Sequence, residues 1–263
     1  MTVASKQETR VRGGQADAPG RGRPPAALLH LAGLALIILA WQLLSLLSSH
    51  LGAPLATIEA LGRGFADGWL AEATADTLLH VAGGFGLALA VGVPVGYAIA
   101  VNDFAYRVFD PLVQAYGSIP RIVFLPILLT LFGAGGAAKM SMGFLAAVFP
   151  ILVNVIAGVR TTPQALVRLG RSVELRPWAM AVKIRMRWAL PLLLVGMRLG
   201  FGIAFVSVVI SEYFGSTGGL GVELSAAYAA LEPARLFAIV LVTVIVAAVV
   251  NTVLLRVDRR LSG

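Results

Sequence analysis

Two ionisable residues lie within one long apolar segment that begins at Ala189-Leu190-Pro191. Counting about 1.5 Å per residue, Arg198 lies roughly 10 Å into this segment, and Glu212 lies about 21 Å further along, too far for a direct ion pair. Arg198 could attract an anionic solute, or its long side chain could reach the membrane surface or the carbonyl groups of a helix end. We prefer the structural interpretation of Arg198. Glu212 is expected to stabilise the turn that follows at 219–221 or to contact a protein partner.

The segment that precedes this apolar run, residues 160–188, is strongly basic. Its cations could bind acidic groups on a partner protein or the anionic headgroups of lipids. Both interpretations place this segment at a membrane surface.

Patterns for nucleotide or metal binding are not found in the sequence. Residues 133–139 are rich in glycine but lack the Gly-x-x-x-x-Gly-Lys-Ser/Thr spacing of a phosphate-binding loop. His30, His50 and His80 are too far apart for the close pairing of a zinc-binding helix. The chain is therefore predicted to bind no cofactor and no metal.

The composition is that of a membrane protein. Hydrophobic residues make up 58% of the 263 residues and charged residues 13%, whereas a soluble domain has about 25% charged residues. A net charge of +8 could indicate nucleic acid, but Lys-rich and Arg-rich cytoplasmic loops explain it in a membrane protein. We predict an all-α integral membrane protein that does not bind nucleic acid.

Six apolar segments are predicted to cross the membrane, each needing about 20 residues: about 27–48, 78–101, 121–134, 138–159, 189–213 and 236–256. Residues 1–26 are polar and are predicted to be a disordered cytoplasmic tail, and residues 27–263 a single transmembrane domain. The third span is short and contains Pro126, so we expect it to be kinked or partly buried in protein. Residues 54–76 indicate surface helices, and residues 104–117 a short amphipathic helix.

Orientation follows from the positions of the cations. With the N-terminal tail inside, nearly all lysines and arginines outside the spans fall on the inner side, and the exceptions are Arg63, Lys139 and Arg235. Cytoplasmic loops carry an excess of Lys and Arg. Both termini and the basic segment are therefore predicted to be cytoplasmic.

Short proline-containing motifs recur along the chain in a defined order. They are Val93-Pro94-Val95-Gly96, Asp110-Pro111-Leu112-Val113, Ser118-Ile119-Pro120, Leu125-Pro126, Phe149-Pro150-Ile151 and Ala189-Leu190-Pro191. Together they resemble the permease subunits of bacterial ATP-binding-cassette (ABC) importers, in the nitrate, sulfonate, taurine and bicarbonate group. The resemblance implies a type I ABC importer permease fold with about six transmembrane helices, in the bacterial inner membrane.

In that family the basic segment, here about 163–187, is a coupling loop of two short helices that dock on the ATPase. Aligned on Ala189-Leu190-Pro191, this chain keeps the family isoleucine at Ile184. It departs at other positions: Arg168 for glutamate, Leu169 and Gly170 for two alanines, Glu174 for glycine, Met186 for leucine and Arg187 for proline. Glycine tolerates positive φ and glutamate does not, so we expect Arg176-Pro177 to supply the break between the helices. Residues 180–188 alternate apolar and basic, a period closer to that of a strand.

The resemblance implies the partners as well. They are a second permease copy, two cytoplasmic ATPase subunits that hold ATP and Mg, an extracytoplasmic solute-binding protein and the lipid bilayer. The chain itself is expected not to be an enzyme. Two alternatives are a membrane-embedded enzyme, which needs several ionisable residues converging within the spans, and a passive channel, which needs no coupling loop.

Overall fold

The computed structural model describes residues 26–48, 50–117 and 119–262, and the regular structure within these ranges is helical throughout. The helices are α1 (Ala26–Leu47), α2 (Pro54–Ala66), α3 (Trp69–Val101), α4 (Asp103–Gly117), α5 (Leu125–Phe132), α6 (Gly136–Arg160), α7 (Gln164–Ser172), α8 (Pro177–Met180), α9 (Met186–Gly215), α10 (Leu220–Ala229) and α11 (Pro233–Ser262). A 3₁₀ turn, Arg121–Phe124, precedes α5, and a π-helical segment, Ala181–Arg185, joins α8 to α9. The all-α prediction is confirmed. Apart from Ala26, the predicted tail lies outside the described residues.

Helices α3, α6 and α9 form the centre of the bundle. Their contact is built around fully buried residues of α6 such as Ala147, Ile151 and Val155. Small residues allow the backbones to approach closely: a Cβ placed on Gly84 of α3 would lie 2.6 Å from the Met140 carbonyl oxygen of α6. Close packing through small residues is what stabilises helix pairs in lipid, where burying apolar surface gains little.

Four helical segments are long and apolar enough to cross a membrane: Trp69–Val101, Gly136–Arg160, Pro177–Gly215 and Pro233–Arg256. A fifth crossing is possible if α4 and the segment Arg121–Phe132 act as one span. In α1 the described apolar stretch is Ala35–Leu47, which exposes Leu36 and Leu46. The chain is a multi-pass membrane protein, and the count of six spans remains a prediction.

The third predicted span differs from a simple helix. Within residues 121–134 the chain forms the 3₁₀ turn and the eight-residue helix α5. The chain bends by 95° between α4 and this segment. Pro126 lies in the first turn of α5, where a missing N–H costs nothing. The amphipathic helix expected at 104–117 is present as α4.

The second span begins earlier than predicted. Residues 69–76, expected among surface helices, are the first turns of the 33-residue helix α3, which follows Gly68 in the left-handed conformation (φ 84°). At about 1.5 Å per residue this helix is roughly 50 Å long, whereas the hydrocarbon core is about 30 Å thick. Its first turns therefore extend beyond the apolar layer and bring acidic residues to one end of the bundle.

Candidate functional site

A group of ionisable side chains converges where α3 and α6 begin and α9 ends. We call Asp76, Thr77, His80, Lys139 and Glu212 the polar cluster. Thr77, Lys139 and Glu212 are buried, with 0%, 3% and 1% of their surface exposed. Buried charges are retained only where they are paired and hydrogen-bonded, and each of these residues has such partners.

Glu212 connects the end of α9 to the turn that leads into α10. Its Oε2 accepts hydrogen bonds from the Thr77 hydroxyl at 2.8 Å and from the Gly221 amide at 3.0 Å. The Leu220 amide in turn donates to Thr77 Oγ1 at 2.8 Å. The turn folds directly over the carboxylate. Gly219 (φ 104°) approaches it so closely that an added Cβ would collide with it. These contacts are those expected of a turn-stabilising residue, and they leave Glu212 inaccessible to a protein partner in this conformation.

Lys139 supplies the positive charge of the cluster. Its Nζ donates to Asp76 Oδ2 at 2.5 Å and to the Gly218 carbonyl at 2.7 Å, and it lies 3.7 Å from Glu212 Oε1. It thereby joins α6 to α3 and to the turn after α9. One ammonium group faces two carboxylates.

His80 completes the group, one helical turn beyond Asp76. Its Nδ1 lies 2.7 Å from the Asp76 carbonyl oxygen and 3.4 Å from Asp76 Oδ1. Possible ligand atoms of Asp76, His80 and Glu212 all lie within 4.8 Å of one another. The Lys139 ammonium lies beside both carboxylates, so a metal ion bound there would face its positive charge. Beside the cluster is an open cleft of about 740 Å³, which Glu72 and Glu223 also line.

Sequence reasoning missed this convergence. It singled out Arg198 as the ionisable residue deep in a span, assigned Glu212 to the outer end of the same segment, and treated Lys139 as an outer-segment residue. In the structure Arg198 is partly exposed and forms no hydrogen bond or ion pair with any residue of the described ranges. The spacing of Asp76 and His80, one turn apart at the start of an apolar run, was the available sequence signal.

At the opposite end of the bundle, the basic segment forms a compact helical hairpin. Helix α7 packs on α8 and the π-helical segment through Gly170, where a Cβ would lie 2.6 Å from the Met180 methyl carbon and 2.8 Å from that of Ile184. Two of the residues predicted for the coupling loop, Gly170 and Ile184, thus form the contact between its two arms. The strand-like alternation at 180–188 is not a strand, because residues 181–185 are π-helical and continue into α9.

Glu174 and the pair Arg176-Pro177 both lie in the break between the two arms of the hairpin. Glu174 adopts the left-handed conformation with φ 52°, contrary to our expectation that it would avoid positive φ. The Leu175 amide donates to the Gly170 carbonyl at 3.0 Å, which closes the end of α7. Arg176 is extended and Pro177 begins α8, as predicted. The glutamate therefore occupies the conformation for which glycine is suited.

The hairpin exposes large apolar side chains. The exposed fractions are 79% for Trp178, 61% for Val173 and 59% for Leu169, and Arg168 and Arg176 are exposed nearby. Exposed apolar side chains that lie together indicate an interaction surface. This surface belongs to a loop beyond the apolar helices.

Long apolar helices that pack into a bundle are those of a multi-pass membrane protein. Residues 92–263 match the family model for the binding-protein-dependent transport system inner membrane component. The chain belongs to this family, and the resemblance seen in its sequence is confirmed.

Relatives and a solved structure agree with this family. The chain is 28% identical over 200 residues to the taurine transport system permease protein TauC of Escherichia coli, covering 76% of this chain and 73% of the relative. It is also 28% identical over 224 residues to the bicarbonate transport system permease protein CmpB of Synechococcus elongatus, covering 80% and 81%. An inward-facing structure of the MetNI methionine ABC transporter matches with a TM-score of 0.65 at 20% identity, over 73% of this chain and 96% of that chain. The type I permease fold follows from this match. Because the chain belongs to a transport family, neither an enzyme nor a passive channel is favoured.

Proposed function

We propose that this protein is the membrane-spanning subunit of an ATP-driven importer for a small anionic solute of the taurine, sulfonate, nitrate or bicarbonate kind. The observation that carries the proposal is the exposed apolar face of the hairpin α7–α8, with Leu169 and Trp178 at its surface, on a chain of the permease family. A channel needs no such surface. A subunit driven by a separate ATPase does.

The hairpin is the docking element for the ATPase in this proposal. Leu169, Val173 and Trp178 supply apolar contact area, and aromatic anchors of this kind contribute most to binding at protein interfaces. Arg168 replaces the family glutamate on the same surface, so we infer that the cognate ATPase presents an acidic group opposite it. ATP and Mg belong to that ATPase.

The complete transporter, we infer, contains a second permease copy, two ATPase subunits and an extracytoplasmic binding protein. The chain is placed in the bacterial inner membrane with both termini and the hairpin in the cytoplasm, because its cations are concentrated on that side. This orientation puts the polar cluster on the outer side. An impermeant thiol reagent applied to intact cells should label Thr217→Cys, which is exposed beside the cluster, and should spare Ser172→Cys in the hairpin. The reverse pattern would contradict the orientation.

Arg198 is assigned differently from our initial preference. Because its side chain is partly exposed and has no hydrogen-bond partner among the described side chains, we infer that it faces the solute pathway. An arginine there would favour an anionic solute. Glu212, by contrast, is proposed to be structural, because its carboxylate binds the turn after α9.

The docking proposal is tested with the purified chain and its cognate ATPase. We expect Trp178→Ser to weaken co-purification of the ATPase and to lower binding-protein-stimulated ATP hydrolysis. Leu231→Ser is the matched control, because Leu231 is 78% exposed at the opposite end of the bundle. Equal effects of the two substitutions would contradict the assignment of the hairpin as the docking element.

A further inference from the structure

A small polar cavity lies where the transmembrane helices meet the hairpin. Its volume is about 240 Å³, and its polar lining includes Asp103, Arg160, Thr162, Gln164, Arg171 and Arg185. A water molecule occupies about 30 Å³ in the liquid, so the cavity has room for a tetrahedral oxyanion and several waters. It is separate from the polar cluster and from the apolar face of the hairpin.

Positive charge dominates this cavity. Arg160 Nη1 pairs with Asp103 Oδ1 at 3.0 Å, and its guanidinium lies 3.9 Å from the centre of the Tyr106 ring. Among the side chains that the structure describes, Arg171 and Arg185 have no ion-pair partner and no hydrogen-bond partner. Three guanidinium groups therefore face a single carboxylate, and that carboxylate is itself 80% exposed.

Two residues that line the cavity each carry a buried polar group without a partner, and both groups can donate a hydrogen bond. Thr162 is 6% exposed, and its hydroxyl has no partner. The Arg185 Nε–H is buried and likewise has none. Leaving a buried polar group unpaired costs about 1–3 kcal/mol, and an arginine has only donors. A ligand that satisfies both groups must therefore be an acceptor.

Helix α7 adds a further source of positive potential. It begins at Gln164, directly after Pro163, and no side chain caps its first turn. The unpaired amides of a helix N-terminus carry partial positive charge and bind phosphate or sulfate readily. The uncapped end, the orphaned hydroxyl and the three arginines all favour the same class of ligand.

We propose that this cavity binds a phosphate group, supplied either by the headgroup of an acidic phospholipid or by free inorganic phosphate. The cavity lies beside the last residues of α3 and α6, Ala100, Val101 and Arg160, where apolar helices end and headgroups begin. A phosphate at this position contacts α6 through Arg160 and the hairpin through Arg171 and Arg185. Binding therefore stiffens the hairpin against the bundle, whether or not the hairpin docks on an ATPase.

The test uses the purified full-length chain in detergent and two probes. Inorganic phosphate is titrated at constant ionic strength, with chloride as the comparison ion, while the thermal unfolding midpoint is followed. Native mass spectrometry then measures retention of phosphatidylglycerol against phosphatidylcholine. Phosphate also raises unfolding midpoints without binding, because it is excluded from protein surfaces, so only a rise that Arg185→Gln removes identifies a free-phosphate site. Selective retention of phosphatidylglycerol identifies a headgroup site.

Two substitutions remove the donors and one serves as the control. We expect Arg185→Gln and Thr162→Val each to weaken binding about tenfold, which corresponds to about 1.4 kcal/mol, the scale of one hydrogen bond to a charged group. Thr162→Val should leave the unliganded chain at least as stable, because it removes an unpaired hydroxyl, and it therefore separates ligand loss from misfolding. Arg187→Gln removes the same charge from a residue outside the cavity and should have no effect on binding. The proposal is overturned if neither probe binds selectively, or if Arg187→Gln weakens binding as much as Arg185→Gln.

Discussion

Replacing Lys139 with methionine tests the polar cluster most sharply. The lysine ammonium is the cation that faces Asp76 and the nearly inaccessible Glu212. Methionine has a similar length and fills the space without a charge. Lys139→Met therefore leaves two carboxylates close together with their shared cation removed, and it also orphans the Gly218 carbonyl.

The magnitude follows from the burial of each partner. Removing one member of a fully buried ion pair costs about 3–5 kcal/mol. The Asp76 side chain is 32% exposed, so water screens part of its charge, while Glu212 keeps two hydrogen-bond donors. We therefore expect a loss of about 2–4 kcal/mol in the free energy of unfolding, below the upper end of the range.

Thermal unfolding of the purified chain, followed by circular dichroism, measures this loss. Lys183→Met is the control, because Lys183 is exposed in the hairpin and its charge is solvated. The double variant Lys139→Met/Glu212→Gln should recover part of the loss, since glutamine retains an acceptor oxygen for Thr77 and Gly221 but carries no charge. If Lys139→Met and Lys183→Met unfold at the same temperature, or if the second substitution destabilises further, the electrostatic account of the cluster is wrong.

Further predictions concern the two turns, the hairpin and the solute pathway. Glu174→Gly should raise the free energy of unfolding by up to about 1 kcal/mol. A residue with a side chain costs about 1–2 kcal/mol in the left-handed conformation, and the larger conformational entropy that glycine loses on folding offsets part of the gain. A lower unfolding midpoint would contradict this. Gly219→Ala should lower stability by more than 2 kcal/mol, since its Cβ would collide with the Glu212 carboxylate, and an unchanged midpoint would refute that turn geometry. Arg168→Glu should reduce ATPase co-purification without changing insertion, because like charges at an interface cost several kcal/mol; unaltered co-purification favours contact with lipid headgroups instead. Arg198→Gln should assemble normally but lower uptake of the anionic solute, and impaired assembly with normal uptake would return Arg198 to a structural role.

The helical bundle was predictable because apolar runs long enough to cross a membrane leave the backbone few alternatives to a helix. Boundaries were less predictable. The first turns of α3 carry Glu72 and Asp76, whose charge resembles that of a surface helix, yet the helix continues without a break into the apolar layer. Pro126 predicted an irregularity within the short third segment but not the 95° bend between this segment and α4.

The polar cluster could not be derived from sequence because its members are far apart along the chain. Lys139 and Asp76 are separated by 63 positions, and Thr77 and Glu212 by 135, so their contact depends on how α3, α6 and α9 pack. Glu174 was misjudged for a different reason. Propensity argues against positive φ at a glutamate, but the Leu175–Gly170 hydrogen bond and the packing at Gly170 hold it there.

The most direct test of the central claim is solute uptake into proteoliposomes that contain the chain, its cognate ATPase and its binding protein, with ATP supplied on the hairpin side. Taurine, bicarbonate, nitrate and an alkanesulfonate are the solutes to compare. We predict that one of these anions accumulates against its gradient only when ATP, ATPase and binding protein are all present, and that Trp178→Ser abolishes the accumulation while Leu231→Ser does not. Flux of the anion down its gradient through the chain alone, unaffected by ATP, would instead identify a passive channel and contradict the account.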